Sequence, residues 1–188
     1  MLLILLVNKS CSMPVESETF INSPLVIDNI EEKDNDYVEK NIAIPVWDNE
    51  ITITIDKIQV NAKLKRADVK DAIGDFSELE EYPLWISSTP LFGNPGLSAI
   101  IGHRQWGDDP KVFANLDKLK KDDIITVNDI QYFVQYTMTI DPEKIYETYD
   151  NLNEQFYEND INGLMLITCT PYGTSLKRLL VIAEQEIN

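Results

Sequence analysis

From Ile51 onward the chain is a series of short apolar segments with the period of strands, set apart by turn residues, and this spacing leaves little room for long helices. "ITITI" (Ile51 to Ile55) alternates apolar and polar residues, as a strand buried on one face does, and Ile58 to Val60 continues it past a bend. "LSAII" (Leu97 to Ile101), "IITV" (Ile124 to Val127), "IQYFVQYTMTI" (Ile130 to Ile140), "LMLIT" (Leu164 to Thr168) and "RLLVIA" (Arg178 to Ala183) are equally β-rich. Asn128-Asp129, between two of them, suits a tight hairpin. Helical spacing is scarcer: Val112, Phe113, Leu116 and Leu119 predict one short amphipathic helix, with weaker signals over Asp68 to Ile73 and Glu143 to Tyr149. The fold class expected is mainly β, a closed or nearly closed barrel with a few short helices, because closure removes exposed sheet edges.

Ahead of these segments the character changes. The first 50 residues carry ten acids against Lys9, Lys33 and Lys40, with no sustained period, and read as a leader followed by an acidic linker. The opening MLLILLV is too short to span a bilayer and is read as a truncated membrane anchor. The expected organisation is therefore a leader and linker over residues 1–50 and a folded domain over 51–188. A formal net charge of −16 argues against nucleic acid as a partner, since phosphate contacts need clustered Lys and Arg.

Chemistry is concentrated at strand ends. "GLMLITCTPYG" (Gly163 to Gly173) runs apolar residues into Thr168 and Cys169 and then into a turn, so the cysteine stands where a strand stops. The only other cysteine, Cys11, lies in the polar leader; no disulfide is expected between them, and Cys169 is read as a free reactive thiol. The single histidine, His103, follows "LSAIIG" and also sits just past a strand. Arg178 opens the next strand, where antiparallel pairing across Thr170 to Lys177 would return it to the level of Cys169. Together they offer a thiolate nucleophile, an imidazole proton shuttle and a fixed cation for a developing oxyanion. The plainer alternative is a barrel that binds a surface peptide or glycan, with Cys169 as core filler.

"LITCTPYGTSLKRLLV" (Leu166 to Val181), "GNPGLSAIIGHR" (Gly93 to Arg104) and "VFANLDKLKKDD" together resemble the sortases, cysteine transpeptidases of Gram-positive cell surfaces, over about Ile51 to the C-terminus. The resemblance implies an eight-stranded sortase-type barrel with Cys169 as nucleophile, His103 as general acid and base, and Arg178 holding the oxyanion and substrate backbone. Thr168 and Leu166 would lie against the substrate. Its substrate would be a sorting signal such as Leu-Pro-x-Thr-Gly, and its acceptor an amine of a peptidoglycan precursor or a pilin. It places the protein at the extracytoplasmic face of the membrane or in the cell wall. No metal or cofactor is implied, although seven acids between Asp141 and Asp160 fall where some relatives bind calcium; a solvated acidic loop shaping the groove is the reading adopted. "PLFGNPGLSAIIGHRQW" is most similar to the lidless class D and E enzymes, which anchor proteins, and "TCTPYG" to the pilin-polymerising class C enzymes, the alternative. Met165 stands where the family often has threonine.

Overall fold

A computed structural model describes residues 50–70, 73–74 and 76–186, so the expected leader, most of the linker and Cys11 lie outside the described residues. Strands dominate: β1 (Ile51–Ile55), β2 (Val60–Ala67), β3 (Val69–Lys70), β4 (Ile73–Gly74), β5 (Leu84–Ile86), β6 (Gly96–Ile101), β7 (Gln105–Trp106), β8 (Asp109–Pro110), β9 (Ile124–Val127), β10 (Ile130–Ile140), β11 (Asn162–Thr170) and β12 (Lys177–Gln185). Eight close into a barrel in the order β1-β2-β5-β6-β11-β12-β10-β9, while β3–β4 and β7–β8 form two small hairpin sheets. The mainly β, eight-stranded barrel is thus the fold, and β9 and β10 meet at the hairpin through Asn128, whose φ of 51° is the left-handed conformation such a turn requires.

Two predicted helices are not found among the described residues, for different reasons. Residues 111–120 form turns and a 3-10 helix at Leu116–Lys118, yet Phe113, Leu116 and Leu119 still enter the barrel core. A segment this short gains more from burying three apolar side chains than from regular helix bonds. The stretch from Asp68 contains β3 and β4, which pair with each other. The weak helical signal over Glu143 to Tyr149 is realised and runs on through the rest of the expected acidic loop: α1 spans Ile145–Glu158 and is reached through a 3-10 turn at Pro142–Lys144. Ile145, Tyr149, Leu152 and Phe156 recur at helical spacing and pack as one stripe, which fixes that segment against the sheet and leaves its acids on the other faces.

The stripe covers the outside of the barrel wall. Strand alternation sends Leu164, Leu166, Leu179, Val181 and Ala183 into the barrel interior and Met165, Ile167, Leu180 and Ile182 into a second apolar layer outside it. β11 and β12 are therefore buried on both faces and read as continuous apolar runs. β5 reaches only Ile100 and Ile101 of β6, so the rest of that edge is completed by side chains. Leu97 N–H donates to Asn153 Oδ1 (2.8 Å), Tyr149 OH donates to Leu97 O (3.0 Å), and Ala99 N–H donates to Thr89 Oγ1 (3.1 Å). The first two of these bonds dock α1 against the strand that leads to His103.

Gly163 marks the closest helix approach: a Cβ there would lie 2.3 Å from the Phe156 ring. Gly163→Ala is expected to destabilise the fold by about 1–3 kcal/mol through overpacking. Urea unfolding measures this; an unchanged midpoint would show that α1 shifts without cost.

Candidate functional site

Three adjacent strands end in one row. β11 pairs antiparallel with β12 so that Cys169 stands directly opposite Arg178. On its other side β11 pairs parallel with β6, in the register Ile167↔Ile101. Gly102 N–H adds one more rung, donating to Ile167 O at 3.0 Å. Continuing that register by two residues brings His103 level with Cys169. Neighbouring strands lie about 4.8 Å apart, so His103, Cys169 and Arg178 occupy successive positions across one end of the wall. Alternation also puts all three on the outer face, the face of Met165, Ile167, Leu180 and Ile182.

The sequence reason for this placement is local. Gly102 is needed because a Cβ there would fall 2.5 Å from the ring of Phe113, which plugs the barrel end. His103 O accepts from Phe113 N–H at 3.0 Å, and the His103 ring lies 5.2 Å from that of Trp106, tilted by 57°. The imidazole is 3% exposed. Burial, with a smaller contribution from the positive charge of Lys111, lowers its pKa to about 4, so the ring is neutral at neutral pH.

Arg178 is fully buried, and its Nη1 donates to Ser175 O (2.8 Å) and Lys177 O (3.1 Å). Ser175 lies in the turn between β11 and β12 and Lys177 opens β12, so the end of that turn aims the guanidinium. Burial lowers its pKa to about 10, still well above neutrality, and the cation persists. Cys169 is also buried. Here the expectation of a free thiol is corrected: among the described residues no cysteine is free, and the Cys169 sulfur is in a disulfide. A thiolate at this position is obtained by reduction.

Leu166 and Thr168, expected against the substrate, alternate to the other face. Leu166 is fully buried in the barrel interior, and Thr168 is buried with its Oγ1 donating to Gly102 O at 2.8 Å. Neither side chain reaches the face of Cys169; Thr168 instead ties the cysteine strand to the backbone before His103. Sequence reasoning missed Arg104, which the Gly-His-Arg motif contains but to which it assigned no task. Arg104 is buried beside the row, next to His103 in the chain, and its Nη1 donates to Thr170 Oγ1 at 3.0 Å. The usable signal was adjacency: Arg104 follows His103 and Thr170 follows Cys169, so a register that brings the first pair level brings the second pair within reach.

Among the described residues no group of three or more His, Cys, Asp and Glu is assembled to hold a metal ion, and the acids considered for calcium are distributed along α1 and its flanks. Among the same residues no helix is long and apolar enough to cross a membrane.

The sortase domain model matches residues 53–186, well over half of the chain. The chain belongs to the sortase family. No curated protein matches the sequence. Among solved structures, the chain is similar to sortase C1 from Streptococcus agalactiae, with 26% identity, a TM-score of 0.57, and coverage of 73% of this chain and 67% of that one. It is similar to sortase C-1 from Actinomyces oris, with 27% identity, a TM-score of 0.59 and coverage of 73% of each chain. Sortase A from Corynebacterium diphtheriae, at 24% identity and a TM-score of 0.57 over 74% of this chain and 61% of that one, shares the fold. Sortases are cysteine transpeptidases that act on sorting signals and amine acceptors at Gram-positive surfaces, and membership implies that activity here.

The neutral imidazole has a consequence for stability. Above about pH 6.5 His103 is unprotonated in folded and unfolded chains alike; between there and about 4 only the unfolded chain takes up the proton. Stability is therefore expected to fall as pH drops through this window, by on the order of 3 kcal/mol in total. Urea titrations across the window should show a shallower slope for His103→Gln than for the parent. Equal slopes would mean that the ring is not held neutral.

Proposed function

We propose that this sortase cleaves a Leu-Pro-x-Thr-Gly-like sorting signal and anchors the acyl fragment to a cell-wall amine, with Cys169 as nucleophile, His103 as general acid and base and Arg178 as oxyanion and substrate-backbone stabiliser. The observation that carries the reading is the row of three residues at one level on neighbouring strands. With the disulfide reduced, the Cys169 thiol passes its proton to the neutral His103 as sulfur attacks the threonine carbonyl. The carbon–sulfur bond forms, and negative charge on the carbonyl oxygen falls to the Arg178 guanidinium. Collapse of this adduct breaks the carbon–nitrogen bond, and the imidazolium gives its proton to the leaving amine. The thioacyl enzyme then waits for an incoming amine, which restores the amide and returns the thiol.

This chemistry needs no metal or cofactor. Residues 51–188 would form the catalytic barrel, working on the extracytoplasmic face of the membrane. A second reading, polymerisation of pilins, is favoured by the likeness to sortases C1 and C-1. It differs in the acceptor, a pilin lysine instead of a peptidoglycan amine. The test is incubation of the reduced full chain with a fluorescent sorting peptide, with and without a glycine peptide or a pilin-derived lysine peptide. Conversion to the amine adduct supports transpeptidation, and the preferred amine separates the two readings. Acid alone, whatever amine is added, would make it a peptidase; no cleavage of any sorting peptide by the reduced chain would leave the barrel a binding module.

A further inference from the structure

The backbone ladder between the histidine strand and the cysteine strand stops short of the site. Its last rung is Gly102 N–H to Ile167 O, one residue before His103 and two before Cys169. Beyond that rung the described links between the two segments are made by side chains. Thr168 Oγ1 donates to Gly102 O, and Gln105 Oε1 accepts from Gly173 N–H. Between those two, Arg104 reaches across from the residue next to His103 to the residue next to Cys169, with Nη1 donating to Thr170 Oγ1 at 3.0 Å.

Arg104 is held as well as holding. It is 6% exposed, its Nη2 pairs with the Asp117 carboxylate at 2.8 Å, and its guanidinium carbon lies 5.7 Å from the centre of the Tyr172 ring. Asp117 belongs to the 3-10 turn that opens with Leu116, which together with Phe113 enters the barrel core, so the guanidinium is anchored to the core on one side and to the cysteine turn on the other. Its main-chain oxygen accepts from Lys111 N–H, which fixes the backbone beside His103. A buried cation with a carboxylate, a hydroxyl and an aromatic face as partners is a rigid spacer, because each contact removes a rotamer that a surface arginine would retain.

We propose that Arg104 is a positioning residue: its bridge from Asp117 to Thr170 sets the separation between the His103 imidazole and the Cys169 sulfur. The proposal rests on the reading of those two residues as the reacting pair. Arg104 acts through Thr170 and its own peptide link to His103. Misplacing reacting groups by about 1 Å costs on the order of 100-fold in rate, which sets the scale expected.

The test uses the reduced full chain with Arg104→Met, Thr170→Val and both together. Arg104→Met should lower kcat by about 10- to 100-fold with KM within about threefold, since a positioning residue acts on the reacting pair and not on substrate binding. Thr170→Val, which removes only the hydroxyl, should lower kcat in the same direction, and the double variant should be no slower than Arg104→Met, because both break one bridge. Alkylation of Cys169 by iodoacetamide across pH, read by mass spectrometry, should shift its profile in both single variants, since it reports how the imidazole and sulfur interact without any substrate. Unchanged kcat and alkylation profiles in Thr170→Val, or losses that multiply in the double variant, would overturn the proposal; so would a change confined to KM. Should Arg104→Met not fold, Thr170→Val decides alone. If the parent chain cleaves no sorting peptide, the functional reading fails, and the alkylation profiles still decide whether the bridge positions the pair.

Discussion

Cys169→Ala is expected to abolish both the amine adduct and the free acid in the reduced chain, with no residual turnover above solvent hydrolysis. The reason is that the acyl group has nowhere else to be stored: among the described residues Cys169 is the only cysteine, and no other nucleophile stands in the row with His103 and Arg178. Folding should survive, because a half-turn of apolar neighbours, Met165 and Ile167 among them, carries the packing on that face. Mass spectrometry of the parent with a slow peptide should show the thioacyl adduct on the peptide containing Cys169, and only after reduction, since the sulfur is otherwise in a disulfide. Full turnover by Cys169→Ala would remove the thiol from the chemistry altogether.

Arg178→Ala should lower kcat by about two or more powers of ten, the scale seen when a donor to a developing oxyanion is removed. It sits opposite Cys169 in the strand register and is aimed by Ser175 O and Lys177 O, so its position does not depend on substrate to be organised. Truncation also takes a fully buried side chain out of the wall and strips two carbonyls of their donor, so stability falls too. Arg178→Lys separates the effects: a charge is kept while the planar fork is lost, so stability should recover more than kcat. Equal recovery of both, or full activity in Arg178→Ala, would assign the residue to the fold alone.

Much of the architecture is legible because strand alternation is a local property. Ile124–Val127 and Ile130–Ile140 have the boundaries that their pattern predicts, and β11 and β12 extend their predicted cores by one to two residues at each end. β5 is missed because three residues, Leu84–Ile86, are too few to show a period. The helix at Ile145–Glu158 is legible only as a weak signal over its first turns, and its second half reads as a loop, because seven acids between Asp141 and Asp160 obscure an apolar stripe that only contact with β6 and β11 makes worth burying.

The site divides in the same way. That a cysteine, a histidine and an arginine each stand at a strand end is written in residue order, since an apolar run followed by a turn announces its own limit. Which strands are neighbours is not, because β6 and β11 are joined by 60 intervening residues and pair only when the barrel closes. Closure also decides which face each residue takes. It sends Leu166 and Thr168 inward, away from the face of Cys169, and links Arg104 to Thr170. Local chemistry set the inventory, and long-range pairing, whose energy comes from burying both faces of β11 and β12, set the distances.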